Sequence, residues 1–196
     1  MQPSTYFNLE KARALVVDNN TQSLDIICGI LASFGLRQVV RKANGREAQE
    51  ELMARPVDLI LTDAALPEMD GYELIHWLRR EPGEKRMTPA IIVSAHTPRN
   101  KVIKARDCGA NFTIAKPIAP NVVLERILWV ARADRLFIEC DVYMGPDRRW
   151  RNAGPPLEHP DGRRRDDRPA EVGIPEGDNL SSSELDQLIK PQRLAG

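Results

Sequence analysis

The sequence predicts an α/β protein: a doubly wound, five-stranded parallel sheet followed by a largely disordered C-terminal tail. Three observations carry this reading. Short apolar runs alternate with helix-period segments between residues 14 and 132, and strict βα alternation means a parallel sheet covered on both faces with right-handed crossovers. Four of the five runs end in a residue with useful chemistry: Asp18, Asp63, Ser94 and Lys116. Beyond Arg135 sustained periodicity stops and proline and arginine accumulate, a composition that buries too little apolar surface to offset the entropy of ordering.

The first run, at residues 14–17, ends at Asp18, and Asn19, Asn20 and Thr21 follow with loop and N-cap chemistry. Leu24, Ile27, Cys28, Ile30, Leu31 and Phe34 recur at helical spacing until Gly35 stops them. Val39 and Val40 make a shorter strand, and Ala48, Leu52 and Met53 mark the helix after Gly45. The run at residues 57–61 reaches Thr62 and Asp63, so a carboxylate stands where a strand buried on both faces leaves the sheet. Leu66-Pro67 and Asp70-Gly71 punctuate a tight loop before a helix that begins near Tyr72. Residues 81–89 form a polar loop, and residues 90–93 a fourth strand ending at Ser94. A helix through Val102, Ile103 and Ala105 stops near Gly109. The fifth strand, at residues 112–115, ends at Lys116-Pro117, and the last helix spans residues 120–132. Leu136, Phe137 and Ile138 either extend that helix or add extended chain.

With 196 residues the chain accommodates one well-buried domain plus a tail. Lys and Arg number 28 against 28 Asp and Glu, so no global charge argues for nucleic acid or an anionic membrane. Cys28, Cys108 and Cys140 form no CxxC pair, which suits a reducing cytosol. The N-terminal residues lack the apolar core of a signal peptide, and no run is long enough to span a bilayer. The expectation is a cytoplasmic protein with no membrane association.

In a doubly wound sheet the C-terminal strand ends line one crevice, so Asp18, Asp63, Ser94 and Lys116 converge there. These types suit phosphoryl transfer to a carboxylate. Asp63 is the candidate nucleophile, forming an acyl phosphate. Asp18 is a candidate Mg²⁺ ligand, while Lys116 and Ser94 are a charge and a hydroxyl donor for phosphoryl oxygens.

VVDN at 16–19, LTDAALPEMDG at 61–71, VSAHT at 93–97 and AKPI at 115–118 resemble the receiver domain of two-component response regulators, the CheY-like family. The resemblance covers about residues 10–135. It implies the flavodoxin-like strand order 2-1-3-4-5, Asp63 as phosphoacceptor, Ser94 as switch hydroxyl and Lys116 as charge sensor. It further implies a Mg²⁺ site from Asp18, Asn19, Asp63 and the backbone carbonyl of Ala65. Such a protein accepts its phosphoryl group from a sensor histidine kinase or phosphotransfer protein and signals through protein contacts. Two residues depart from the family pattern. Asn19 stands where a second adjacent acid is usual, which removes a negative charge from the metal site. Thr113 stands three residues before Lys116, where an aromatic is usual.

His76 reads as a packing or solvent-facing residue. His96, two residues after Ser94, reads as a surface residue or as one that tunes acyl-phosphate lifetime. The chain divides into a receiver domain at 1–135, a Pro/Arg-rich linker at 136–178 and a short amphipathic helix at 179–196. Between 141 and 169 seven arginines face six acids, a mixed-charge linker in which Arg and Trp150 could alternatively grip an anion. Residues 180–189, LSSSELDQLI, resemble the receiver-binding peptide of flagellar switch proteins and include a Ser181/Glu184 capping box. That resemblance implies flagellar or chemotaxis partners, and a tail that docks on a receiver in cis or in trans. No DNA-binding domain is recognisable. The competing readings are a phosphatase with an aspartyl nucleophile, disfavoured by Ala65 where a second acid is usual, and a phosphorylation-independent binding module with an arginine-rich anion-binding tail.

Overall fold

A computed structural model describes residues 9–132, 137–140 and 142–147. Five strands build the sheet: β1 (Arg13–Val17), β2 (Gln38–Lys42), β3 (Leu59–Asp63), β4 (Ala90–Ser94) and β5 (Phe112–Ala115). Five helices alternate with them: α1 (Thr21–Ser33), α2 (Gly45–Ala54), α3 (Gly71–Arg80), α4 (Arg99–Asp107) and α5 (Pro120–Arg132). The sheet is parallel throughout, in the order β2-β1-β3-β4-β5. The expected doubly wound, flavodoxin-like architecture is therefore the observed one.

Side chains of a strand alternate between faces, and each face here has its own core. Leu15, Val17, Ile60, Ala90 and Ile92 pack with Ala48 and Leu52 of α2, Leu74, Ile75 and Leu78 of α3, and Ala105 of α4. Ala14, Val16, Leu59, Leu61, Ile91, Val93, Phe112 and Ile114 pack with Leu24, Ile27 and Leu31 of α1 and Val123 and Ile127 of α5. Because both faces are covered, the central strands are continuous apolar runs rather than alternating ones. Among the described residues, no helix is long and apolar enough to cross a membrane.

The loop expected at 81–89 contains one turn of 3-10 helix, Glu84–Met87. A larger difference lies after α5. The expected domain ends at 135 and the expected linker begins at 136, with extended chain as one alternative for residues 136–138; in the structure Phe137–Cys140 (β6) and Tyr143–Pro146 (β7) pair as an antiparallel hairpin. A bare two-stranded hairpin is marginal in water. This one lies against α3, and that long-range contact leaves no trace in local composition. The remainder of the expected linker, the expected disorder of the tail and the expected helix at 179–196 fall outside the described residues.

Candidate functional site

Each strand end delivers its side chain to the same edge of the sheet. Asp18 follows β1 and is fully buried. Its Oδ1 accepts the Asn20 backbone N–H (2.9 Å), and its Oδ2 accepts the Ser23 hydroxyl. Asn20 also caps α1 through the Ser23 N–H (3.0 Å), so the turn that starts the helix orients the carboxylate. Asp63, the last residue of β3, accepts the Ala65 N–H at Oδ1 (2.9 Å). Lys116, just beyond β5 and preceding a cis peptide bond to Pro117, donates from Nζ to Asp18 Oδ2 (2.8 Å) and to Asp63 Oδ2. Residues 98 positions apart in the chain thus meet through one ammonium group.

Electrostatics keep Asp18 and Lys116 charged. Burial pushes Asp18 up, but the bonds from Lys116, Ser23 and Asn20 outweigh it and hold the carboxyl below its ordinary range. Burial works to lower Lys116, and its bonds to Asp18 and Asp63 outweigh that and raise it. Two carboxylates against one ammonium leave a surplus negative charge in a partly enclosed site. That arrangement attracts a further cation.

The family model for the response regulator receiver domain matches residues 14–128. The chain belongs to the receiver family. It is 32% identical over 116 residues to the chemotaxis protein CheY1 of Helicobacter pylori, covering 59% of this chain and 93% of that protein. It is 30% identical over 108 residues to a probable chemotaxis protein CheY of Rhizobium etli, covering 55% of this chain and 83% of that protein. A solved CheY-like receiver domain protein from Methanospirillum hungatei matches with a TM-score of 0.54 at 30% identity, over 60% of this chain and 90% of that one.

The receiver's β3–α3 loop is held by glycine chemistry. A Cβ on Gly71 would lie 2.1 Å from the Asp63 carbonyl oxygen, so only glycine lets α3 begin so close to the β3 end. Gly71 N–H donates to Ala64 O (3.2 Å). Asp70 and Glu73 form a capping box, the Asp70 side chain accepting Glu73 N–H and the Glu73 side chain accepting Asp70 N–H. Lys104 of α4 bridges to Asp70 (2.9 Å) and sits 4.5 Å above the Tyr72 ring.

Receiver domains bind Mg²⁺, and the donors here fit it. Asp18 and Asp63 converge within reach of one ammonium, Asn19 is exposed beside Asp18, and Ala65 is exposed two residues after Asp63. Mg²⁺ favours such hard oxygens and is commonly held by one or two carboxylates plus waters. Among the described residues no cluster of three or more His, Cys, Asp or Glu forms, and residue 19 contributes an amide rather than a carboxylate.

Ser94 is buried, and its hydroxyl is turned into the β4–α4 loop, donating to His96 O (2.9 Å) and accepting His96 N–H (3.2 Å). His96 itself is exposed, and His76 is half-buried on α3. Burial lowers the His76 imidazole, with a further push from Arg80. Thr113 is buried within β5. Ser23 carries no signal in the sequence, since a serine two residues into a helix is commonplace until Asp18 is seen beside it.

Proposed function

We propose that this receiver accepts a phosphoryl group on Asp63 from a sensor histidine kinase or phosphotransfer protein, with Mg²⁺, and signals through protein contacts. The observation that carries the reading is the bridge of Lys116 between Asp18 and Asp63. A carboxylate oxygen of Asp63 attacks the phosphorus of a phosphorylated imidazole. The P–N bond breaks, the leaving imidazole takes a proton, and a mixed anhydride remains on Asp63. Lys116 holds the nucleophile in place and supplies positive charge to the incoming phosphoryl oxygens. Mg²⁺, held by Asp18, Asn19, Asp63 and the Ala65 carbonyl, would neutralise phosphoryl charge as transfer proceeds. The Ser94 hydroxyl, bonded to His96 O before transfer, donates to the new phosphoryl group afterwards, and the loop that precedes α4 loses that tether. Attack of water on phosphorus later returns the carboxylate and inorganic phosphate.

Relatives named as chemotaxis proteins support an output by protein contact rather than by chemistry on a substrate. The test is incubation with Mg²⁺ and acetyl phosphate, followed by intact mass. The full chain should gain one phosphoryl group, while Asp63→Asn and Mg²⁺-free samples should gain none. An equal adduct on the Asp63→Asn variant would refute the assignment.

A further inference from the structure

The edge of the sheet opposite Asp63 carries a second construction. Arg79, at the C-terminal end of α3, is 2% exposed. Its guanidinium donates to four acceptors, Gly109 O (3.0 Å), Arg86 O, Thr88 O (2.8 Å) and Asn111 Oδ1 (3.4 Å). These acceptors come from the segments entering β4 and β5, so the arginine staples the strand N-termini together. The β6–β7 hairpin closes over it. The Phe137 ring lies 5.1 Å from the Arg79 carbon, and Glu139 pairs with Arg86 (2.8 Å). Tyr143 donates its hydroxyl to Pro146 O (2.8 Å), holding β7 in shape.

Here glycine packs on glycine. A Cβ on Gly145 would lie 2.5 Å from the Tyr143 hydroxyl of the same hairpin and 2.8 Å from Gly109 Cα, and a Cβ on Gly109 would lie 2.7 Å from Met144 O. Gly109 ends the α4 turn with φ of +92°, a conformation that already demands glycine. Thus α4, roughly 13 Å long at its nine residues, is preceded by the Ser94–His96 loop and followed by the Gly109 turn that packs on the hairpin. Close-packed contacts of this kind do not yield continuously; they hold or they separate. The hairpin depends on this contact, because two strands alone are marginal in water.

We propose that the β6–β7 hairpin is a strap that reports the position of α4, so that its docking is coupled to the phosphorylation state of Asp63. This rests on the phosphoacceptor reading and deepens it. When Ser94 exchanges His96 O for a phosphoryl oxygen, the N-terminal end of α4 is released to move. A shift of the helix then displaces Gly109 against Gly145, and the hairpin loosens.

Linkage makes the coupling reciprocal: whatever factor the phosphoryl state applies to hairpin docking, undocking must apply to phosphoryl-state binding. The test uses the full chain and beryllofluoride with Mg²⁺ as the phosphoryl mimic. Hydrogen exchange over residues 137–146 should accelerate on saturation, by about 5- to 150-fold for couplings of the usual size. Gly145→Ala should accelerate the same amides without ligand and tighten beryllofluoride binding by a matching factor. Phe137→Ala, which alters the hairpin and not the receiver core, should do the same to a smaller degree. If either variant frees the hairpin yet binds beryllofluoride within twofold of the parent, the strap is a passive cap and the proposal falls. It also falls if hairpin exchange ignores beryllofluoride that is demonstrably bound. Failure of the underlying reading looks different, with no beryllofluoride binding by the full chain and no phosphoryl adduct by mass; that result removes the coupling with it.

Discussion

Gly71→Ala offers the sharpest test of how backbone packing holds Asp63, the proposed phosphoacceptor. The added Cβ would lie 2.1 Å from the Asp63 carbonyl oxygen, 3.0 Å from its carbon and 3.1 Å from Thr62 Oγ1. A relaxed carbon–oxygen contact is roughly 3.3 Å, so about 1 Å must be found. The obstructing atoms are backbone, and they belong to a strand end fixed by the Ala64 N–H bond to Val93 O (3.1 Å). Rotamer adjustment cannot relieve the clash. Overpacking of a tight site costs about 1–3 kcal/mol, and the backbone location puts this case near the top of that range. Straining the Gly71 N–H bond to Ala64 O costs about 1 kcal/mol more. Alanine's better helix propensity returns at most about 1 kcal/mol. The net expectation is a loss of about 2–3 kcal/mol, read from urea unfolding at unchanged m-value. That is survivable for a domain of about 5–15 kcal/mol, so the variant should fold. Displacing Asp63 by even part of 1 Å should slow phosphorylation by acetyl phosphate about tenfold or more. A loss below about 1 kcal/mol together with an unchanged rate would show that α3 and the β3 end are not locked in the way argued.

Three further expectations concern the site and the cysteines. Asn19→Asp adds an anionic oxygen beside Asp18; an exposed unit charge about 4 Å from a divalent ion is worth roughly 2 kcal/mol in water, so Mg²⁺ affinity by calorimetry should rise at least about tenfold, and equal affinities would mean that residue 19 does not face the metal. Cys108 is buried while Cys140 is exposed, so iodoacetamide at pH 8 should label Cys140 and spare Cys108 in the folded protein. Burial pushes the Cys108 thiol from 9.0 up to about 12; the folded state keeps the proton that the unfolded chain releases. The associated stability is therefore complete below pH 9 and lost as pH rises toward 12, with a slope approaching about 1.4 kcal/mol per unit. Urea midpoints between pH 8 and 10.5 should fall less steeply in Cys108→Ala, and parallel curves would refute this.

Local pattern was enough to define much of this chain. The buried strands show themselves as short β-branched and leucine runs, because a parallel strand covered on both faces has no polar side to display. Gly35, Gly71 and Gly109 mark the breaks between elements, two of them through positive φ and Gly71 through its contact with Asp63. Given the alternation, topology alone carries Asp18, Asp63, Ser94 and Lys116 to one edge. The remainder needed the folded chain. Arg79 looks in sequence like any charged residue ending a helix, and its burial depends on carbonyls up to 30 residues away. Asp18 needs Ser23 and Lys116 beside it before its charge can be understood. The hairpin at 137–146 reads as linker in the sequence, because four-residue strands carry almost no periodicity and their partner is a distant glycine. Its order comes from packing of Gly145 on Gly109 and Phe137 on Arg79, contacts that exist only after the sheet has brought those segments together.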